Sequence, residues 1–185
     1  MHHFDFIAPL YDRLAGTPDR ARFQRMLNLP CTGRLLDAGG GTARISSILN
    51  DMIGQVVVND LSYHMLKQAS KKAVLPVRSP VEQLPFADQT FERILIVDAL
   101  HHFKDQRRSI HELLRVLKSG GRLAIEEYDL NHKFVKLLAL AEKLMGMRSR
   151  FIRPAEIQAM MSSNNISTKV EHPNRYTAWI IADKN

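Results

Sequence analysis

From residue 34 onward, short apolar runs alternate with longer stretches of mixed polarity. Arg34–Ala38, Gln55–Asn59, Val74–Arg78, Arg93–Val97 and Arg122–Glu126 each read as a strand, the second holding three consecutive valines. Runs of this kind, with little polar alternation, suit strands covered on both faces of a parallel sheet. Between them, Ala43–Asp51, Ser62–Ala73 and Gln106–Leu117 predict helices, with Ser62 a natural N-cap for the second. Ser119-Gly120-Gly121 breaks the chain after the third. The alternation predicts a parallel sheet with right-handed crossovers. Beyond Tyr128 the pattern changes. Lys133–Met147 predicts a longer amphipathic helix, and Pro154–Ser162 a helix with proline in its first turn. Ile166–Glu171 and Tyr176–Ala182 predict two last strands around a turn holding Pro173 and Asn174. Residues before Gly33 read as a helical cover.

Composition narrows the class. A chain of 185 residues suits one domain, and 45% hydrophobic residues is ordinary for a globular protein. One cysteine, Cys31, excludes an internal disulfide and Cys-rich metal spacings, which points to a reducing compartment. There is no apolar run of about 18 residues, and the start lacks the basic-then-apolar layout of a signal peptide. The expected location is the cytoplasm. The net charge of +7 admits an anionic partner. Its basic residues are dispersed, however, in small clusters at Lys71-Lys72, Arg107-Arg108 and Arg148 to Arg153. None is the charge block of a nucleic-acid arm, so no nucleic-acid partner is expected.

The strongest local signal is Leu35-Leu36-Asp37-Ala38-Gly39-Gly40-Gly41-Thr42-Ala43, which leaves a strand through a glycine turn. Glycines there allow a tight turn and close approach of a ligand to the main chain. About 20 residues on, Asp60 ends the next strand, where an acid accepts hydrogen bonds from ribose hydroxyls. A dinucleotide site would place a glycine three residues after Gly41, and Arg44 stands there. No Gly-Lys-Ser/Thr follows either, so the turn is not a phosphate loop. An adenosine ligand without a diphosphate fits best.

Further segments make a family visible. Asn59-Asp60-Leu61-Ser62 is followed by Met65-Leu66 and Ala69, and Glu82-Gln83-Leu84-Pro85-Phe86 by Phe91. Ala99-Leu100-His101-His102-Phe103 precedes Asp105, and Arg115-Val116-Leu117-Lys118-Ser119-Gly120-Gly121 leads into the fifth strand. With the glycine turn and the Tyr11-Asp12 opening, this series resembles the class I S-adenosylmethionine-dependent methyltransferases. The likeness is to the subgroup of ubiquinone/menaquinone-biosynthesis methyltransferases (methyltransferase type 11) and covers almost the whole chain. It implies a Rossmann-like α/β three-layer sandwich, with a mostly parallel seven-stranded sheet and an antiparallel last strand. It implies a single domain over 1–185, with an N-terminal cover at 1–32 and a helical lid at 130–163.

The resemblance also implies roles. Asp37 and the backbone at Gly39 and Gly41 hold the methionine part of S-adenosylmethionine. Asp60 binds the ribose, and Leu61 and Met65 line the adenine. Val81 and Glu82 edge the adenine, the main chain at Asp98 meets the cofactor's amino group, and Tyr11 reaches its carboxylate. S-adenosylhomocysteine is the product, and no metal is expected. The sulfonium donor is already activated, so the protein mainly holds the acceptor in line. Where a proton must leave, His102, or next to it His101, is the candidate base. Glu126, Glu127 and Asp129 end the fifth strand nearby. Two positions depart from the family. Pro80 stands where an Asp commonly accepts from adenine, and Asn164-Asn165 replaces a glycine before the sixth strand. The 133–147 helix reads first as a lid over the acceptor pocket. With Lys133, Lys136 and Lys143 beside its apolar stripe, it also allows peripheral contact with anionic membrane. The expected partner is a small-molecule acceptor, with a quinone precursor among the candidates, and the oligomeric state is left open. An RNA- or protein-directed methyltransferase and a noncatalytic cofactor-binding protein are the alternatives.

Overall fold

The computed structural model describes residues 12, 16–132, 135–137, 140, 149–163 and 165–185. Seven strands form one sheet in the order β3-β2-β1-β4-β5-β7-β6. They are β1 (Cys31–Ala38), β2 (Ile53–Asp60), β3 (Leu75–Arg78), β4 (Phe91–Val97), β5 (Leu117–Tyr128), β6 (Ile166–Glu171) and β7 (Thr177–Lys184). All neighbouring pairs are parallel except those made by β7, which runs antiparallel to both β5 and β6. The expected sheet is therefore the observed one.

Each apolar run of the sequence feeds two cores. Leu36 and Val57, with Ile94 and Ile96, face one side of the sheet. Their chain neighbours Leu35, Val56, Val58 and Leu95 face the other. On the first side lie α3 (Gln106–Val116) and α4 (Pro154–Met161), burying Ile110, Leu113, Val116, Ile157 and Met161. On the second lie α1 (Arg20–Leu27), a 3-10 helix (Ser46–Met52) and α2 (Tyr63–Ala69), burying Phe23, Met26, Leu27, Leu49 and Leu66. Helix starts follow capping chemistry: Asp19, Ser62 and Asp105 each accept a first-turn backbone N–H. Pro154 opens α4.

Two expectations need correcting. The predicted helix Ala43–Asp51 is a turn followed by a 3-10 helix, because buried Ala43 sits in the left-handed region at φ 59° and cannot continue an α-helix from the glycine turn. Ser119-Gly120-Gly121 does not end an element. Gly120, at φ 74°, lies within β5, where residues 117 and 122 pair with residues 91 and 93 of β4 and the register slips between them. Of Asn164-Asn165, the first lies outside the described residues. The predicted helix 133–147 falls mainly outside the described residues. Within it, 135–137 and 140 are helical, with Val135 buried and Leu137 and Leu140 exposed.

Strand order sets the site. From β1 the sheet grows outward through β2 and β3 in one direction and through β4 and β5 in the other. The carboxyl ends of β1 and β4 therefore bound a crevice at a topological switch point, where open α/β sheets take their ligands.

Candidate active site

β1 ends at Ala38 and turns through Gly39, Gly40 and Gly41. The N–H groups of Gly39 and Gly40 both donate to the Asn59 carbonyl of β2, at 2.8 and 3.2 Å. Gly39 has φ 73°, and a Cβ there would lie 2.7 Å from the Ala99 Cβ. A Cβ on Gly40 would lie 2.4 Å from the Asp37 carboxyl carbon. The turn is thus glycine both for its backbone angle and because Asp37 and Ala99 press against it.

Acidic groups surround this turn. Asp37 is buried, and burial pushes its carboxyl up to about 6, with the charge of Asp60 adding to the shift. Asp60 accepts from the Gly41 N–H at 3.0 Å and from the Ser62 N–H at 2.7 Å. The acid expected to bind ribose also braces the turn. Leu61 beside it is exposed, and Met65 is buried under the turn, its sulfur 3.9 Å from where a Gly41 Cβ would stand.

Val81 and Glu82 follow β3. Val81 is buried, and its side chain belongs to the core on the α3 side. The Glu82 carboxylate accepts the Asp105 N–H at 3.0 Å, which ties it to the start of α3. Asp98 leaves β4 in the left-handed region at φ 50°. Its backbone N–H donates to Glu126 at 3.0 Å. Burial and the charges of Glu127 and Glu126 push its carboxyl up to about 7.

The two histidines form a turn of 3-10 helix, Leu100–His102. His101 is buried, its Nδ1 lies 2.7 Å from Glu127, and its ring stacks on Phe151 at 4.2 Å. Glu127 also accepts the Leu100 N–H at 2.8 Å. His102 is less buried, and its Nδ1 lies 3.2 Å from the Ser149 hydroxyl. Burial and the neighbouring His101 charge push its pKa down to about 3, so its ring is neutral. Tyr128 closes the group, 6.4 Å from His101 and 6.3 Å from Phe151.

The structure thus brings Asp37, Gly39, Gly41, Asp60, Leu61 and Met65 together at the ends of β1 and β2. It sets Asp98, His101 and His102 across the switch point from them. Tyr11 lies outside the described residues, but Asp12 beside it accepts from Thr42 of the turn and from Lys72 at 2.7 Å. Sequence reasoning missed the supports given by Asn59 and Asp12 and set Glu126 near the histidines. Asn59 donates to Ser79 Oγ at 2.7 Å and so holds the loop that leads to Pro80 and Val81. Asp12 accepts from Thr42 of the turn and from Lys72. Glu126 points away from the histidines and accepts from Trp179 and Arg22 in the core of the α1 side. Polar residues inside otherwise apolar strands were the available signal for Asn59 and Glu126. Among the described residues, no group of three or more His, Cys, Asp or Glu is placed to hold a metal ion.

The residues present fit an adenosine-type cofactor. The turn lacks the Cβ atoms that would fill it, acids end β1 and β2, and a buried oxygen of Asp98 has no hydrogen-bond partner. Comparison with known proteins agrees. Residues 36–125 match the methyltransferase domain family. The chain is 37% identical over 140 residues to demethylmenaquinone methyltransferase of Thermobifida fusca, covering 68% of this chain and 59% of that protein. It is 30% identical over 146 residues to ubiquinone/menaquinone biosynthesis C-methyltransferase UbiE of an Enterobacter species, covering 69% and 58%. The chain therefore spans less than two thirds of the length of these relatives. The fold also matches the crystal structure of a SAM-dependent methyltransferase from Thermotoga maritima, with a TM-score of 0.78, 22% identity and 98% of each chain covered. Residues 36–125 place the chain in the methyltransferase domain family, and the relatives it resembles are named as quinone-biosynthesis methyltransferases.

Proposed function

We propose that the protein transfers a methyl group from S-adenosylmethionine to a small-molecule acceptor, leaving S-adenosylhomocysteine. The observation that carries this reading is the glycine turn seated on buried Asp37, with Asp60 bracing it and Asp98 facing it across the switch point. Asp37 and the backbone of Gly39 and Gly41 hold the methionine part. Asp60 takes the ribose hydroxyls, and Leu61, Met65, Val81 and Glu82 border the adenine. Tyr11, next to Asp12, reaches the cofactor's carboxylate. The whole chain acts as one domain, with 1–32 as cover and 130–163 as lid.

When bound, the cofactor supplies an activated methyl group on a sulfonium, so the protein's work is to position and to exclude water. Glu127 fixes the turn that carries the histidines through the Leu100 N–H and the His101 ring. His102, held neutral, accepts a hydrogen bond from the acceptor's hydroxyl or amine and orients it; a ring lowered to about 3 is a weak base, so its part is positioning unless the bound acceptor raises its pKa. Phe151 and Tyr128 wall that side of the pocket.

The names of the relatives favour an acceptor of the quinol-precursor class. Such an acceptor carries a lipid tail, and exposed Leu137 and Leu140 beside Lys136 suit peripheral contact with a membrane surface. Among the described residues no helix is long and apolar enough to cross a membrane. The test is calorimetric titration with S-adenosylmethionine, S-adenosylhomocysteine and, as control, NAD. Micromolar binding of the first two and none of NAD supports the reading, and quinol, phenol and RNA acceptors are then screened for methyl transfer. Absence of binding to both would reject it and leave a noncatalytic protein in its place.

A further inference from the structure

The turn that carries the histidines is joined to a segment far from it in sequence. Gln106 is the first residue of α3, after its cap Asp105, and it is buried although its side chain is an amide. A buried amide is tolerated where its hydrogen-bonding groups are used. Its Nε2 donates to the Leu100 carbonyl at 3.1 Å and to the Arg150 carbonyl at 2.6 Å. The first carbonyl belongs to the histidine turn. The second belongs to residues 149–151, which lead to α4. An amide nitrogen carries two hydrogens in a fixed plane, so the two segments are fixed relative to each other. Other contacts close the same junction. The Arg150 N–H donates to the His101 carbonyl at 2.7 Å, and the Phe151 ring stacks on the His101 ring at 4.2 Å. Ser149 Oγ lies 3.2 Å from His102 Nδ1.

The last contact bears on the chemistry. A neutral imidazole has one N–H and one nitrogen lone pair, and the partner of one nitrogen decides which form is present. His102 is neutral at neutral pH, since burial and the His101 charge push its pKa down to about 3. To accept a hydrogen bond from a substrate hydroxyl through Nε2, the ring must carry its proton on Nδ1. A histidine side chain in water favours the other form, so the fold has to supply an oxygen at Nδ1. Ser149 Oγ is placed to be that oxygen. The neighbouring ring is set in the same way, with His101 Nδ1 against Glu127. Ser149 is not part of the turn, however. It is seated there by the two bonds of Gln106 and the returning bond of Arg150.

We propose that Gln106 is a positioning residue for methyl transfer. It clasps residues 149–151 to the histidine turn, so that Ser149 takes the Nδ1–H of His102 and Nε2 is the nitrogen that accepts from the substrate. The inference rests on the reading of His102 above and adds to it two residues from outside the turn.

The test needs no substrate. It uses the full chain with isotope-labelled histidine at neutral pH, where long-range proton–nitrogen NMR spectra separate the two neutral forms of a ring. The His102 signals are identified by their loss in His102→Gln. The wild type should show His102 mainly in the Nδ1–H form. Ser149→Ala, at a half-buried site, should shift the ratio of the two forms by about tenfold toward Nε2–H, the size of one lost hydrogen bond. Ser149→Thr keeps the hydroxyl and should keep the wild-type ratio. Gln106→Met, similar in volume but without an N–H, should shift the ratio in the same direction. It should also speed hydrogen exchange of the Arg150 amide by about tenfold or more. Gln106→Glu, which can donate at most one hydrogen bond, serves in its place if that variant does not fold. A wild-type His102 in the Nε2–H form, or a ratio unmoved in Ser149→Ala, would overturn the proposal. So would a Gln106 variant that melts at a lower temperature yet keeps the wild-type ratio, since that is the mark of a purely structural role. Each of these outcomes leaves the methyl-transfer reading in place. If the ratios shift as stated but His102→Ala keeps full turnover, the reading of His102 falls, and the functional part of the clasp with it.

Discussion

The two ends of the parallel strands treat their acids in opposite ways. At the amino ends, Glu92 of β4 accepts from Lys118 and from the Arg34 N–H, and lies in an open polar cleft of about 580 Å³ lined also by Thr32, Gln55 and Thr90. Burial alone would raise its pKa, but the Lys118 and Arg34 hydrogen bonds hold it below the usual carboxylate range. At the carboxyl ends of the same strands, Asp37 and Asp98 are raised to about 6 and about 7. One end satisfies its acid within the chain; the other buries Asp37 and leaves Asp98 Oδ1 without a partner. That is how a protein stores a site at the expense of stability.

The most damaging way to test the contrast is to fill the turn. Gly39→Val combines a β-branched residue at φ 73° with a Cβ 2.7 Å from the Ala99 Cβ. Calorimetry should detect no S-adenosylmethionine binding, while circular dichroism shows the sheet intact. Full binding in this variant would take the turn out of the site. Asp60→Ala should weaken cofactor binding by about 2–3 kcal/mol, since charged hydrogen bonds to the ribose are lost and Gly41 loses its brace. Unchanged affinity would contradict the ribose assignment. His102→Ala should lower turnover more than cofactor affinity, measured once an acceptor is found, and equal turnover would reject its part in positioning the acceptor.

Stability against pH separates the two ends without any ligand. Asp37 and Asp98 keep protons in the folded state at pH values where the unfolded chain has released them, above about pH 4. The folded state then binds more protons than the unfolded one, so stability falls as pH rises from about 4 to about 7. Glu92 and Glu112 are lowered, so the stability they add is present above about pH 4.5 and is lost as pH falls below it. His102, lowered to about 3, opposes part of this decline up to about pH 6.5, so the melting temperature should peak near about pH 5 and fall only shallowly above it. Asp98→Asn should flatten the decline above that pH, and an unchanged decline would show that the Asp98 carboxyl is ionised throughout.

Much of this was legible in the sequence because it depended on local pattern. The bounds of β6 and the capping by Ser62 follow directly from periodicity and residue type. So does the place of Asp37, Gly39, Gly41 and Asp60 around one turn, since a strand, a glycine turn and an acid two elements apart imply that geometry. What was not legible depends on contacts across the sheet. Ala43 opens the predicted helix 43–51, yet it leaves the glycine turn buried and left-handed at φ 59°, which no local pattern announces. Ser119-Gly120-Gly121 predicts a break, but pairing of β5 with β4 absorbs Gly120 as a bulge. The division of labour among Glu126, Glu127 and Asp98 is set by which face of β5 each residue occupies and by the partner waiting there, Trp179 or His101.

The smallest effect sharpens the comparison most. Glu92→Gln removes the charge from the satisfied end, breaking the pair with Lys118 at a partly exposed site. Such pairs contribute little, so the expected cost is about 0.5–1 kcal/mol in chemical denaturation. Cofactor affinity should not change, because the substitution lies at the opposite end of β4 from Asp98. Glu92→Gln and Asp98→Asn are chemically alike, each trading a carboxylate for its amide on or just after the same strand. The first should lower stability and spare binding, and the second should spare or raise stability. If Glu92→Gln weakened cofactor binding, the ends of the sheet would be coupled through β4, and the reading of the amino end as purely structural would fail.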